Sequence, residues 1–513
     1  MRYLVPLLAL SMVAAAGCQP ALTDKTTFPS NAVAATAHPL ATYVARDVLA
    51  RGGNAADAAV AAGFALAVAE PSMSHLGGRI QILVRTPDGR DQGYNGMTEV
   101  PAKYVAPEEP VGQGYGTIAT PGVVAGLARL HAEHGSLPWS ALLQEPARIA
   151  REGFALLPGA AARHERGLEN FRDNPGFQDV FIEGDGTALD TGDMLIQPAL
   201  ARTIERLAEQ GAQDFYRGEI AQQIAADMAN NGGHVTLADH AAYEVLDGRY
   251  VTTRYRDFEV HTLAAPAGGG LVVKTLNILE NFDLATLSEA QWGAVVNQAL
   301  AIAINSMATD RAELDLDRVA DKGWAAEQAA TIMVPPAHSA AASIASMSDA
   351  RVAAATDWSG DNWGPDSHHT THFTIADCEG SIVSITQTVG PLFGSRVNTP
   401  ELGFVYASTM GRYLQLVDQV PGSRPRTTIA PTIVTRDGEV VLALGAAGGI
   451  RILSAIVQTI SRAVDQGHDA ATAVALPRVH PERITDESGK RHTHGDKVNL
   501  EMTPERGWDA AIA

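Results

Sequence analysis

Thr370-Thr371-His372-Phe373-Thr374-Ile375-Ala376 and Ser381-Ile382-Val383-Ser384-Ile385-Thr386-Gln387-Thr388 both have the alternation and β-branched content of strands. Between them Cys378-Glu379-Gly380 suits a hairpin loop with Gly380 in the left-handed position. That register sets Asp377 against Ser381, Phe373 against Ile385 and Thr370 against Thr388. Directly opposed side chains sit close enough for two hydroxyls to meet. Such a pair can supply a nucleophile and its support. It is equally compatible with an ordinary threonine-rich hairpin, and spacing alone does not separate the two.

A second chemical feature lies downstream. Val441-Leu442-Ala443-Leu444-Gly445 reads as a buried strand, Gly448-Gly449 follows, and a helix from Ile450 to Val464 carries apolar Leu453, Ile456, Val457 and Ile460. Glycines at a strand-to-helix turn let backbone N–H groups approach a ligand, and a helix N-terminus favours negative charge. The pair is therefore a candidate oxyanion hole as well as a tight turn. His368, His369 and His372, and separately His492 and His494, raise a metal reading. His-X-X-X-His spacing serves a metal on a helix, but here it runs from a Gly/Pro-rich loop into a strand. No metal and no other cofactor is expected.

The elements that must position these residues are partly readable. Leu40, Val44 and Val48 recur at helical spacing, and Gly52-Gly53 can stop that helix. Asn54 suits the N-cap of an Ala-rich helix, Ala55 to Ala69, that ends before Pro71 and is apolar nearly all round, hence buried. Ile82 to Arg85 and Gly93 to Tyr94 flank the turn Asp88-Gly89. Pro121 to His134, Pro138 to Glu152 and residues 195 to 232 read as helical. Tyr250 to Leu263 alternates like strands and breaks at Ala265-Pro266-Ala267-Gly268-Gly269-Gly270. Residues 335 to 369 lose apolar periodicity and read as exposed and mobile, up to the strand that starts at Thr370. No internal repeat and no clean linker between independent domains is visible.

Bulk properties narrow the function. The chain has 513 residues, 46% hydrophobic, enough for a large core. Its formal net charge of -20 lacks the basic footprint that nucleic-acid binding requires. Arg2 and the short apolar run Tyr3 to Ala16 read as an export signal ending in Ala15-Ala16-Gly17-Cys18, which resembles a bacterial lipobox. A plain secretory signal cut nearby is the other reading. A lipid on Cys18 would be the only membrane attachment and would place the protein in the periplasm or on the outer membrane. It would also leave Cys378 without a partner, so no disulfide framework is expected.

Several segments together resemble the γ-glutamyltransferase branch of the N-terminal-nucleophile hydrolases. Gly53-Asn54-Ala55-Ala56-Asp57-Ala58-Ala59-Val60-Ala61, Thr120-Pro121-Gly122-Val123-Val124-Ala125-Gly126-Leu127 and Ala150-Arg151-Glu152-Gly153-Phe154 are similar to blocks of that family. Thr370-Thr371-His372-Phe373, Pro431-Thr432-Ile433-Val434 and Gly448-Gly449 follow in family order, and the likeness runs from about residue 32 to about 480. The resemblance implies an α+β fold, a four-layer αββα sandwich. It implies self-cleavage between His369 and Thr370, giving intertwined large and small subunits. The expected division is signal peptide 1–18, tether 19–33, large subunit 34–369 and small subunit 370–513.

The implied chemistry is an acyl-enzyme on Thr370, whose freed α-amine acts as its own base, with Thr388 supporting the nucleophile. A small-molecule γ-glutamyl or related acyl amide would give up its acyl group to water or an amine.

The substrate-reading positions depart from the family pattern. Met97 falls where an arginine grips the γ-glutamyl carboxylate, and Thr409 and Arg412 fall where acids or amides grip its amine. Gly390 replaces an asparagine, and Thr427-Thr428 replaces a serine pair. Arg412 would repel an ammonium and attract an anion, and Arg79 would add positive charge. These changes suggest an acylase for an anionic acyl group other than γ-glutamyl. The chain also stops at Ala513, where the family continues with further strands, which leaves a third reading: a non-catalytic surface lipoprotein that keeps the fold as a binding module.

Overall fold

Asn54 opens the helix Ala55–Ala69 with a capping box shared with Asp57, and all fifteen residues of that helix are buried. A helix so rich in Ala has little amphipathic contrast. It suits a position between other helices and a sheet, where every side needs small apolar groups. The computed structural model describes residues 31–109, 111–172, 174–310, 315–336, 368–411, 420–485 and 491–501. Cys18, Arg412 and residues 337–367 lie outside them.

The strands are β1 (Val33–Ala35), β2 (Arg79–Arg85), β3 (Asp91–Gly96), β4 (Phe154–Ala155), β5 (Met194–Leu195), β6 (Leu246–Asp247), β7 (Tyr250–Tyr255), β8 (Phe258–Leu263), β9 (His368–Ala376), β10 (Ile382–Pro391), β11 (Thr432–Arg436), β12 (Glu439–Leu444), β13 (Arg478–Thr485) and β14 (Arg491–Glu501). One sheet has the order β1-β9-β10-β2-β3-β6 and a second the order β12-β11-β8-β7. Their pairings are antiparallel. A small apolar layer of Leu83, Leu263, Ala267, Ile382 and Ile433 joins the two sheets. The helices Pro39–Ala50, Ala55–Ala69 and Val123–His134 share a core with the first sheet. The helices Gly269–Leu279, Glu289–Asp310 and Arg451–Val464 share another with the second. The layers are thus helix, sheet, sheet, helix, the αββα sandwich expected.

The central hairpin is anchored at its turn. Asp377 Oδ1 accepts from the amides of Glu379 and Ser381 (3.0 and 2.9 Å), and Gly380 takes φ 96°. Asp377 Oδ2 accepts from Ala55 N (3.0 Å), so the turn is fixed to the first amide of the buried helix. A carboxylate there satisfies an otherwise unpaired helix donor.

Four expectations change. Residues 195–232 form three helices, Pro198–Gln210, Asp214–Arg217 and Glu219–Asn230, because Gly211 turns to φ 80° and Gly218 separates the second from the third. The expected tether through residue 33 is one residue too long, since Val33 already pairs with Ala376. The strand before Gly448 is not buried: β12 is a sheet edge, bulged opposite Val434 and Thr435, and Val441 is 46% exposed. Cys378, expected to lack a partner, is disulfide-bonded. The sequence's other cysteine, Cys18, is outside the described residues. Beyond Pro477, β13 and β14 form a ribbon that packs on the helix Glu289–Asp310. No helix among the described residues is long and apolar enough to cross a membrane.

Candidate functional site

Strand β9, second in the first sheet, carries Thr370 near its start, and β10 runs beside it. The expected register holds from Ala376–Ile382 through Phe373–Ile385 to Thr371–Gln387. It then shifts, and His369 faces Gly390. Thr388 and Val389 together oppose Thr370, which is a β-bulge. Gly390, at φ 93°, takes a turn that a side chain would resist.

The bulge aims the Thr388 hydroxyl at the peptide before Thr370. Thr370 Oγ1 donates to Thr388 Oγ1 (3.0 Å), and Thr388 Oγ1 donates to the His369 carbonyl oxygen (2.6 Å). Gly390 N also donates to Thr388 Oγ1 (2.9 Å). With both acceptor sites of that oxygen engaged, its single proton points at the His369 carbonyl. Both threonines are buried. A short hydrogen bond to a carbonyl in a dry site polarises it toward nucleophilic attack.

His372 lies two residues on, on the same face of β9 as Thr370. Its Nδ1 pairs with Thr386 Oγ1 (2.9 Å) and its Nε2 with Thr374 Oγ1 (3.1 Å). Burial lowers its pKa to about 3, so the ring is neutral at physiological pH. With both nitrogens occupied by hydroxyls, it offers a metal no lone pair. A Cβ on Gly445 would collide with this ring, so the end of β12 abuts the nucleophile's side of β9. From there the chain reaches Gly448 and Gly449, at φ 111° and 61°, and the helix Arg451–Val464. Thr428 Oγ1 donates to Gly449 O (2.8 Å), and Thr427 Oγ1 accepts from Ile429 N (3.3 Å). The structure thus brings Thr427-Thr428 to the Gly448-Gly449 turn.

The other candidate positions sit deeper. Met97 is fully buried in the second core, with Tyr255, Leu271 and Leu453 in the same cluster. Thr409 is buried, and its hydroxyl donates to Thr98 Oγ1 (2.7 Å). Arg79 is buried in β2, paired with Thr388 across the strands. Sequence reasoning passed over Thr374 and Thr386, which hold His372, and Thr98, which holds Thr409. The alternation of β9 already placed Thr374 beside His372, so that contact had a readable signal. Thr98 had none.

Comparison with known proteins adds the following. Residues 41–505 match the family model described as gamma-glutamyltranspeptidase. The glutathione hydrolase proenzyme of Escherichia coli (strain K12) is 31% identical over 482 residues, which cover 87% of this chain and 80% of that protein. The acylase ACY 1 proenzyme of Pseudomonas sp. (strain V22) is 30% identical over 484 residues, 88% of this chain and 83% of its own. Among solved structures, the cephalosporin acylase from Bacillus halodurans superposes with a TM-score of 0.74 at 24% identity, covering 90% of this chain and 87% of that one. That likeness concerns the fold. The gamma-glutamyltranspeptidase of Helicobacter pylori superposes with a TM-score of 0.57 at 27% identity, over 61% of this chain and 94% of that one.

Proposed function

The chain belongs to the γ-glutamyltranspeptidase family, and on that premise we propose that it cuts itself between His369 and Thr370 and then uses Thr370 as the nucleophile of an amidohydrolase or acyltransferase. The observation that carries this reading is the relay from Thr370 Oγ1 through Thr388 Oγ1 to the His369 carbonyl. Thr370 Oγ1 attacks the His369 carbonyl carbon. The carbon–nitrogen bond to Thr370 breaks, and the nitrogen takes a proton in exchange for the one lost by the hydroxyl. Water then splits the resulting ester. His369 ends as a carboxylate, and Thr370 keeps its hydroxyl and gains a free amine. An α-amine titrates close enough to neutrality to serve as the base for its own hydroxyl. The backbone amides at Gly448 and Gly449 are the proposed donors to the oxyanion of the later acyl transfer. Water or an amine takes the acyl group. The N-terminal sequence of the smaller fragment tests the cleavage site: it should begin Thr-Thr-His-Phe, and any other start rejects the assignment.

A second reading concerns the acyl group. The positions proposed to read γ-glutamyl hold Met97, inside the core, and Thr409, bonded to Thr98. Neither supplies a charge for an α-carboxylate or an α-amine. Buried Arg79 beside Thr388 favours an anionic acyl chain. A glutaryl anilide is a γ-glutamyl anilide without its amine. It should therefore be turned over with roughly tenfold higher kcat/KM or more, the scale on which a mismatched polar group is rejected. A γ-glutamyl anilide that matches or beats it would sink this reading and leave the γ-glutamyl one.

Export as a lipoprotein through Cys18 belongs to the same proposal and is supported by Ala15-Ala16-Gly17-Cys18. One thiol cannot carry both a lipid thioether and a disulfide, so the disulfide at Cys378 counts against this anchor. Mass spectrometry of the mature protein should find an acylated peptide starting at Cys18. A peptide joining Cys18 to Cys378 would overturn the anchor.

A further inference from the structure

The turn that follows the buried helix, Glu70 to His75, grips both strands of the nucleophile hairpin at their cleavage end. Thr371 Oγ1 donates to Glu70 Oε2 (2.7 Å) on β9, and Gln387 Nε2 donates to Ser74 Oγ (3.0 Å) on β10. Thr371 and Gln387 face each other across the strands. Val389 N, in the bulge that aims Thr388, donates to Met73 O (3.2 Å), and Phe393 N donates to Ser72 O (3.1 Å). Arg163, from the helix Pro158–Arg172, closes the arrangement: its Nε donates to Ser72 Oγ (3.0 Å), and its Nη2 lies 4.0 Å from Glu70 Oε1.

Glu70 is costly where it stands. It is 6% exposed, and burial raises its pKa, opposed by the Thr371 hydroxyl and by Arg163. Apolar residues would fill such a place at less cost. Alternation puts the Thr371 side chain on the face of β9 opposite Thr370, so Glu70 does not touch the reacting groups. What it does hold is the residue that follows the nucleophile, through a side-chain hydrogen bond.

We propose that Glu70 and Thr371 form a positioning pair that fixes the start of β9 against the Thr388–Val389 bulge and so sets the hydroxyl relay for self-cleavage. The relay contacts are 2.6 and 3.0 Å long, and a displacement of about 1 Å costs on the order of a hundredfold in a positioned reaction. The proposal rests on Thr370 as the cleavage nucleophile.

The test follows cleavage of the full chain, without its signal, as it emerges from cell-free synthesis. Glu70→Leu and Thr371→Val should each slow appearance of the small fragment by tenfold or more. Glu70→Gln keeps an acceptor and Thr371→Ser keeps a donor, and both should stay within about threefold of wild type. Thermal unfolding of the same variants on a Thr370→Ala background reports folding without cleavage. There the Tm of the Leu and Val variants should not rank them by their rate loss. A rate loss that Gln and Ser fail to restore, or that simply follows the fall in Tm, assigns the pair to packing and overturns the proposal. Wild-type rates in Glu70→Leu and Thr371→Val overturn it directly. A wild-type chain that stays whole removes the Thr370 reading itself, and the positioning pair with it.

Discussion

Thr370→Ala is expected to yield one uncut chain with no amidohydrolase activity, beside a wild type that splits into two fragments. The smaller fragment, residues 370–513, should weigh about 15 kDa, its share of the 54.0 kDa chain. Alanine removes the hydroxyl linked to the His369 carbonyl through the Thr388 relay, so the ester step loses its nucleophile. It also keeps Thr370's nitrogen inside a peptide bond, so no free amine appears to act as base. One loss stops self-cleavage and both stop the later acyl transfer, so the effect should be complete within detection rather than partial. Intact mass and turnover of an anilide, measured on the same two preparations, decide it. A Thr370→Ala chain that still splits at the same bond, or an uncut wild type that still turns over substrate, contradicts the mechanism. If both chains stay whole and inert, the binding-module reading becomes the better one.

Thr388→Val should slow self-cleavage by about a hundredfold to a thousandfold, the usual cost of losing one donor to a developing oxyanion. Valine keeps the branched shape of the bulge and removes the hydroxyl that donates to His369 O. Thr388→Ser keeps the hydroxyl and should cut within about tenfold of wild type. The half-time for loss of the uncut band measures both. Cleavage of Thr388→Val within threefold of wild type would show that the carbonyl is polarised by some other group. Any fraction that does cut should also acylate slowly, because Thr370 Oγ1 then lacks its hydrogen-bonded neighbour.

How far the site could be read from sequence depended on whether its contacts followed a local rule. The β9–β10 hairpin was legible as far as Thr371–Gln387 because alternation and Gly380 fix a register, and the Thr370 and Thr388 hydroxyls still meet although the register shifts there. The bulge was not legible, since Thr388–Val389 differs from a regular strand only in backbone path, and Gly390 alone does not announce it. Met97 was read as a substrate position because it stands where the family has an arginine. Its burial in the second core depends on helices such as Arg451–Val464, hundreds of residues away. β12 looked buried because its composition is apolar, whereas its exposure follows from sheet order, which no segment encodes by itself. Glu70 carried no signal, because its partner Thr371 is 301 residues distant. The helix Ala55–Ala69 lay at the other extreme: cap, length and burial were all local.

That helix and the strand it touches also obey a shared length. The helix begins at an amide bonded to Asp377 and ends against Glu70, which is bonded to Thr371. From Ala55 to Glu70 is about 22 Å at ~1.5 Å per helical residue. From Thr371 to Asp377 is about 20 Å at ~3.4 Å per strand residue. Two segments with different rises per residue therefore measure out one distance between common end points. An inserted or deleted residue in the strand would turn Thr370 to the wrong face of the sheet. One in the helix would swing its end by about 100° and carry Glu70 away. Residues between the end points can be exchanged within the limits of their volume, but the two lengths can change only in concert, so this part of the gene is open to substitution and closed to insertions and deletions.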